Sequence, residues 1–267
     1  MSFWGSRFVF DGIPSESFDL MIYDIGNNTQ GRTEFSNVVS IKETSVGNRW
    51  RPLFFGTTFE KKTEIEMVFG ITQERIDSQQ FLDRQEMSYI SSWLAGKEDY
   101  SWLEIQQDDM ENIRYRCIVT SLEAISYGNI PVAFKARFTC DSPFAYLYPH
   151  EYTFSIDGEA DVEVFNESTH NGFYYPDLEI DMTSGEHFSI TNESDDGRLF
   201  AFSGLPVISG SIHVNNDTGV IMTESGENLY PYFNFQFLRL KRGANKLHIT
   251  GSGTLKIKCE FPVSAGG

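Results

Sequence analysis

Three carboxylates stand at spacings that could bind a cation. Asp157, Glu159 and Asp161 alternate in IDGEADVEV, so a β-strand would place them on one face, where they could bind calcium. However, Gly158 does not stand where an EF-hand loop needs its glycine. A solvated acidic edge is the simpler interpretation of this stretch.

Two adjacent acidic pairs could supply the carboxylates of a glycosidase. Glycoside hydrolysis needs two carboxyl groups a few ångströms apart, but neighbours on a strand point to opposite faces. Turn positions therefore suit these pairs better. The pairs are Asp108-Asp109 and Asp195-Asp196.

The remaining reactive residue types form no recognised motif. The sequence lacks a P-loop, G-x-G-x-x-G, H-E-x-x-H, G-x-S-x-G and C-x-x-C. We therefore predict no catalytic residue, no cofactor and no metal site, and hence a protein that is not an enzyme. The histidines, distant from one another in sequence, are His150, His170, His187, His213 and His248. The cysteines are Cys117, Cys140 and Cys259, and the first two stand in apolar strand patterns typical of core positions.

Charge and hydropathy exclude two classes of partner. The net charge is −17 and no basic cluster occurs, which argues against tight binding to nucleic acid. No window approaches 18 apolar residues, so we predict no membrane contact.

Aromatic side chains offer two kinds of binding surface. Phe173, Tyr174 and Tyr175 lie in a predicted loop and could stack on sugar rings, although loop anchoring and domain packing are the favoured role. The segment NRWRPLFFGTTFE alternates poorly and contains Pro52, and its mixture of aromatic residues with arginine is typical of a protein–protein interface. A plain hairpin core remains the alternative for this segment. The candidate interface residues are Arg49, Trp50, Arg51, Leu53, Phe54, Phe55 and Phe59.

The elements that position these residues are mainly β-strands. The first half combines alternating strands with one amphipathic helix from about Ser78 to Leu94, capped by Asp77 or Ser78, so it is predicted to be α+β. After residue 148, strand patterns recur every 8–12 residues between glycine-containing turns, which predicts an all-β sandwich. The predicted turns include Asp157-Gly158, Ser184-Gly185 and Gly251-Ser252-Gly253, and the predicted strands include Tyr152–Ile156, Val162–Phe165, Asp177–Asp181, His187–Thr191, Tyr232–Leu238, Lys246–Thr250 and Thr254–Phe261.

A proline divides the two patterns. Val132 to Cys140 alternates strictly as a half-buried strand, and Asp141-Ser142-Pro143 ends it. We predict domains at residues 1–147 and 148–267, held together without a flexible linker. The predicted junction residues are Pro143, Phe144, Tyr146 and Tyr148.

The order of these elements resembles the distal tail protein (Dit) family of long-tailed phages that infect Gram-positive bacteria. The resemblance rests on ISSWLAGKED, on FTCDSPFAY at the end of the strand, and on LKRGANKL followed by Thr250-Gly251. It covers nearly the whole chain, and the order and spacing of the motifs carry more weight than any one motif.

The resemblance implies a structural role at a virion's tail tip. It implies an N-terminal ring-forming domain, a galectin-like C-terminal sandwich and a homo-hexamer made in the bacterial host cytoplasm. The implied partners are the tail tube protein, the tail-associated hub protein and a receptor-binding protein, with DNA passing through the channel without specific binding. A carbohydrate-binding adhesin module that recognises host cell-wall glycans is the alternative function.

Overall fold

Alternating apolar residues fold most of the chain into antiparallel strands, which confirms the mainly β prediction. The computed structural model describes residues 6–25, 39–59, 62–107, 111–206 and 210–264. Unit 1 holds the described residues up to Tyr146 together with Ser264, and unit 2 is Leu147–Val263. Within these described ranges, no helix is long and apolar enough to span a bilayer.

Unit 1 is built on one antiparallel sheet with the strand order β2-β1-β7-β8-β9-β6-β3. Among the described residues, β4 and β5 pair with each other and form a separate two-stranded hairpin. The strands are β1 (Phe8–Phe10), β2 (Ile13–Pro14), β3 (Leu20–Ile25), β4 (Val39–Thr44), β5 (Leu53–Phe59), β6 (Glu64–Ile71), β7 (Ser101–Ile105), β8 (Ile113–Tyr127), β9 (Ile130–Cys140) and β10 (Ala145–Leu147). The α-helices are α1 (Gln73–Asp77) and α2 (Arg84–Leu94), and Ser15–Phe18 forms a 3-10 helix.

The predicted single helix starts later than expected. Asp83, and neither Asp77 nor Ser78, caps α2: its carboxylate accepts the N–H of Glu86 at 2.8 Å, while the Glu86 carboxylate accepts the N–H of Asp83 at 3.0 Å. This capping box satisfies backbone donors at the start of α2, so the chain before it is free to form the separate α1. The predicted start of the helix is therefore wrong, whereas its end at Leu94 is right.

Trp93 fixes α2 to the sheet of unit 1. Its ring stacks on Phe8 and Phe18 at centroid distances of 5.6 and 5.1 Å. Its indole N–H donates to the carbonyl of Phe10 at 2.8 Å. Phe8 in turn meets Phe69 edge to face, so the aromatic residues form the centre of this core.

Unit 2 is a six-stranded antiparallel sheet with the order β11-β16-β12-β14-β15, and β13 is paired to β12. Both halves of the long strands contribute to one hydrophobic cluster, which includes Ile156 and Val164 of a single strand. The six strands of this sheet are β11 (His150–Asn166), β12 (Asp177–Asn192), β13 (Arg198–Ser203), β14 (Ile212–Asn215), β15 (Val220–Thr223) and β16 (Gly243–Cys259). The short strand β17 (Pro262–Val263) is not part of it. The shorter 3-10 helices are Glu193–Asp195 and Tyr230–Tyr232.

Three predicted turns of unit 2 lie inside continuous strands. Gly158 of β11 faces Gly251 of β16, and Ile156 faces Gly253. A Cβ on Gly253 would lie 2.1 Å from the carbonyl oxygen of Asp181, so glycine lets neighbouring strands approach closely where the sheet bends. Glycine that looked like a turn signal therefore marks a bend, and six predicted strands merge into β11, β12 and β16.

A strand predicted from Tyr232 to Leu238 is instead irregular backbone. Phe233 and Phe237 pack against each other at a centroid distance of 4.9 Å, whereas Phe235 between them is exposed, so the predicted alternation does not correspond to one buried face. Side-chain amides bind the backbone here: Asn216 accepts the N–H of Leu238 at 2.9 Å, and Asn234 accepts that of Gln236 at 3.1 Å. Side-chain hydrogen bonds to the backbone thus hold this segment without a regular strand ladder.

Candidate functional site

The predicted interface segment lies on a hairpin that stands apart from the main sheet of unit 1. We call residues 39–59 the arm: β4, the loop of residues 45–52, and β5. Arg49, Trp50 and Arg51 lie in the loop, and the other four predicted residues lie on β5. The sequence therefore located one continuous structural element.

Most apolar side chains of the arm face solvent. Trp50 is 86% exposed, Phe54 64% and Phe55 65%. The plain hairpin-core alternative does not explain such exposure, because a core residue would be covered by its own unit. The sequence interpretation missed further exposed apolar residues of the arm, namely Val39, Ile41 and Val46.

An irregular register places Phe54 and Phe55 on the arm. Lys42 pairs with Gly56 and Glu43 pairs with Phe54, so Phe55 is the extra residue of a β-bulge. Gly56 has φ +110°, a backbone angle that residues with a side chain rarely adopt. A bulge turns side chains away from strict alternation, which explains the poor alternation of this segment.

The base of the arm is joined to the end of unit 1. Phe59 packs edge to face on Phe144, with ring centroids 5.0 Å apart. Nearby, the N–H of Thr63 donates to the carbonyl of Ser142 at 3.2 Å, and the N–H of Cys140 donates to the carbonyl of Thr63 at 2.9 Å. One predicted interface residue is thus an anchor of the arm, in contact with a predicted junction residue.

The predicted junction residues divide between the two units. Pro143, Phe144 and Tyr146 belong to unit 1 and Tyr148 to unit 2, with the division after Tyr146. The Tyr146 hydroxyl donates a hydrogen bond to Ser142 Oγ at 2.9 Å, and its oxygen lies 3.1 Å from Asp141 Oδ1. Burial raises the pKa of Tyr146 to about 12, so this hydroxyl stays protonated and fixes the chain after the proline.

A second exposed apolar surface of unit 1 was not predicted. We call residues 124–130 the finger, the tip of the β8–β9 hairpin. β7 pairs with β8 only from Tyr115 to Cys117, and β6 pairs with β9 only as far as Ala133, so the finger extends past both neighbouring strands. Tyr127 is 86% exposed, and residues 124–134 contain no charged side chain.

The candidate calcium ligands lie on a solvated strand. Asp157, Glu159 and Asp161 are all exposed on β11, and Asp161 Oδ1 lies 2.7 Å from Nδ1 of His248. This contact raises the pKa of His248 through the hydrogen bond to Asp161. In the part of the chain that the structure describes, no group of three or more His, Cys, Asp or Glu side chains could hold a metal ion.

The candidate sugar-stacking residues mostly anchor their loop. Tyr174 exchanges two backbone hydrogen bonds with Leu240, and its hydroxyl accepts the N–H of Glu260 at 2.7 Å. Phe173 is partly exposed, but the guanidinium of Arg239 lies 3.7 Å from its ring centroid. One face of this ring is therefore already occupied.

The acidic pairs have different positions. Asp108 and Asp109 lie outside the described residues. Asp195 is buried and accepts from Arg239, whereas Asp196 is exposed at φ +54° in the same turn. The turn interpretation holds for Asp196, but no pattern in the sequence predicted the buried ion pair of Asp195.

Comparisons with known structures show the fold. The crystal structure of SPP1 Dit (gp 19.1), described as a paradigm of the hub adsorption apparatus in phages infecting Gram-positive bacteria, has a TM-score of 0.65 at 13% identity and covers 96% of this chain and 98% of that chain. A chain of the phage P2 baseplate in its activated conformation with calcium has a TM-score of 0.53 at 12% identity, with the same coverage. Among curated proteins, none matches the sequence.

Family models match both units. The model described as a phage tail protein N-terminal domain matches residues 3–142, and the model described as a phage tail C-terminal domain matches residues 144–259. Together they span most of the chain, and the Dit-like fold agrees with them. The chain therefore belongs to this family of phage tail proteins.

Proposed function

We propose that this tail protein is a distal tail protein that assembles into a hexameric ring at the tail tip. In this role it joins the tail tube to the tail-associated hub and anchors receptor-binding proteins, and it performs no catalysis. The exposed apolar arm is the observation that carries the proposal. An isolated two-stranded hairpin is marginally stable in water, so an arm with three large exposed aromatic side chains calls for a covering partner.

The arm and the finger together favour a ring over a two-fold dimer. They are different surfaces of the same unit, and each is exposed in the single chain. When two different patches of identical subunits meet, the contact is heterologous, and repeated rotation closes it into a ring. Arg49 and Arg51 beside Trp50, with Arg51 4.3 Å from the Trp50 ring centroid, have the composition of an interface anchor.

The domain roles follow from this assembly. Residues 1–147, with the arm and finger, would form the ring, and residues 148–267 would be the galectin-like sandwich. Phe235 supports a docking role for the second domain, because this exposed aromatic residue is held at φ +58° beside Phe233. Unfavourable backbone geometry of this kind is concentrated at functional sites, and a receptor-binding protein is the partner we propose there.

The net charge of −17 fits passage of DNA without specific binding. Acidic side chains that face a channel repel phosphates, so DNA would slide without adhering. A ring structure in which the channel is lined by neutral or basic side chains would contradict this part of the proposal.

Oligomeric state tests the proposal directly. We expect native mass spectrometry of the full chain to show about 183 kDa for six copies of 30.5 kDa, and negative-stain images to show a six-fold ring. The double variant Phe54→Ser with Phe55→Ser should shift the mass to a single chain. Tyr89→Ser is the matched control, because it removes an exposed aromatic residue of α2 outside the arm, and it should leave the hexamer intact.

Two outcomes would refute the ring. One is a wild-type chain that stays monomeric at all concentrations, and the other is an assembly unaffected by the arm variant. Specific binding of unit 2 to cell-wall glycans on an array would instead favour the alternative, a carbohydrate-binding adhesin module. The partly covered ring of Phe173 gives that alternative less support.

A further inference from the structure

Two of the three cysteines face each other inside the sheet of unit 1. Cys117 of β8 and Cys140 of β9 are directly opposite partners in the antiparallel register. Both are free thiols and both are fully buried. Opposite residues of antiparallel strands point to the same side of the sheet, so the two sulfur atoms share one small space.

The distances in such a pair suit a covalent bond. Opposite Cα atoms of an antiparallel pair lie about 4.5 or 5.5 Å apart, and disulfides span Cα distances of about 4.4–6.8 Å. The two side chains also influence each other in the folded sheet, because the neighbouring Cys140 raises the pKa of the Cys117 thiol. Forming the bond would therefore require little movement of either strand.

We propose that Cys117 and Cys140 are a disulfide site, reduced when the chain is made and closed when the tail protein is exposed to an oxidising medium. The cytosol keeps thiols reduced, whereas the surroundings of a lysed cell do not. The covalent bond would link the two strands that lead into the finger and would stabilise unit 1 after release.

The oxidation needs an acceptor for two electrons, and a small-molecule disulfide such as oxidised glutathione provides it. One cysteine thiolate attacks the small disulfide, forms a mixed disulfide and releases one glutathione thiolate. The second cysteine thiolate then attacks the protein sulfur of the mixed disulfide and releases the other glutathione. The products are one Cys117–Cys140 bond and two glutathione thiols, which carry the two protons that the cysteines lost.

Burial controls how fast this happens. The hydrogen bond to Cys140 and burial both raise the pKa of the Cys117 thiol, and only the thiolate is nucleophilic. The folded sheet therefore reacts slowly, through local opening of β8 from β9. We expect slow oxidation of the folded chain and faster oxidation when the chain refolds in the same buffer.

Cys259 provides an internal control. It is also a buried free thiol, but it lies in unit 2, and its cross-strand partner is His150 rather than a cysteine. Burial raises the pKa of its thiol to about 12. It shares the burial of the other two cysteines and lacks only the facing thiol.

The experiment counts thiols in the full chain after exposure to oxidised glutathione. The chain is incubated either folded or during refolding, quenched with acid, unfolded, and labelled with N-ethylmaleimide for intact mass and peptide mapping. We expect a loss of about 2 Da for the disulfide, a single label at Cys259, and a melting temperature raised by about 5 °C or more because the bond closes a loop of about 24 residues.

Two variants make the result decisive. Cys259→Ala should still form the disulfide and take no label, whereas Cys140→Ala should take two labels and show no rise in melting temperature. Three labels on the wild-type chain from both the folded and the refolding start would overturn the proposal, as would a bond or a glutathione adduct at Cys259. If Cys140→Ala fails to fold, the number of labels on the wild type and on Cys259→Ala still shows whether Cys117 and Cys140 form the disulfide.

Discussion

The carboxylate of Asp195, with 2% of its side chain exposed, accepts a hydrogen bond of 2.7 Å from Nε of Arg239. Lys241 approaches the same carboxylate at 3.7 Å. Burial opposes ionisation of Asp195, but the hydrogen bond and charge of Arg239 outweigh it, so its pKa is lowered. The pair therefore ties the turn after β12 to the chain that leads into β16, and it does so as ions.

Asp195→Asn should destabilise unit 2, because the substitution leaves the cation of Arg239 without its buried partner. We expect a loss of about 2–4 kcal/mol in the free energy of unfolding, measured by urea denaturation. Asp196→Asn is the matched control in the same turn: Asp196 is almost fully exposed, and its loss should change stability by less than about 0.5 kcal/mol. Equal effects of the two variants would contradict the structural role of the ion pair.

Glu179 should make the stability of unit 2 depend on pH between about 4.5 and 2. Hydrogen bonds from Lys256 at 2.8 Å and Lys258 at 2.7 Å lower the pKa of Glu179 from 4.5 to about 2. A lowered folded-state pKa gives stability that is fully present above the unfolded value and is lost as the pH falls through the folded value.

Substitution of Glu179 tests that window. The wild type should exceed Glu179→Gln by about 1 kcal/mol at pH 6, after solvent screening, and the difference should vanish near pH 2. Chemical denaturation at several pH values measures it. The more exposed Glu151, 3.9 Å from Lys258, supplies the control Glu151→Gln, for which we expect a smaller difference. A difference that stays constant with pH would exclude the proposed cause.

Gly253→Ala should disrupt the bend of β16. Its Cβ would meet the carbonyl oxygen of Asp181 at 2.1 Å, and backbone cannot yield as a flexible side chain can. We expect a loss of about 2–4 kcal/mol by thermal or urea unfolding. Gly47→Ala in the arm loop is the control, since nothing lies within 4 Å of the added Cβ. A neutral Gly253→Ala would mean that the strands can separate there without cost.

Trp93→Phe should loosen α2 from the sheet. The variant keeps an aromatic ring against Phe8 but removes the N–H that donates to the Phe10 carbonyl at 2.8 Å. Leaving a buried carbonyl without its donor costs about 1–3 kcal/mol, to be measured by urea unfolding. Tyr89→Phe, which removes an exposed hydroxyl from the same helix, should cost less than about 0.5 kcal/mol. If both variants lost a comparable free energy of unfolding, the loss would not be due to the hydrogen bond from Trp93 to Phe10.

Alternation in the sequence was enough to identify most strands and the mainly β class. It failed where glycine serves a second purpose: Gly158 and Gly251 look like turn residues but face each other within paired strands. Local pattern cannot separate a turn from a bend, because that distinction depends on whether a neighbouring strand continues alongside. The same limit applies to Asp77, whose capping pattern was plausible, although Asp83 with Glu86 forms the capping box.

The candidate site was predictable in part for a related reason. Pro52 and the broken alternation set the arm apart before its exposure was known. The finger gave no such signal, because Tyr127 and Ile130 pair with each other beside a glycine turn, as the residues at the end of any hairpin do. Their exposure follows only from where β6 and β7 stop pairing, which is a property of distant segments of the chain.

The uncovered arm has a consequence for the life of the chain before assembly. Each newly made copy presents Trp50, Phe54 and Phe55 to water, with charges only at scattered positions such as Lys42 and Arg51. Assembly with the correct neighbouring subunit and non-specific aggregation then compete for the same apolar surface, and the rates of both rise with protein concentration. Production in excess of the other tail components would therefore lead to precipitation rather than to a reservoir of spare subunits.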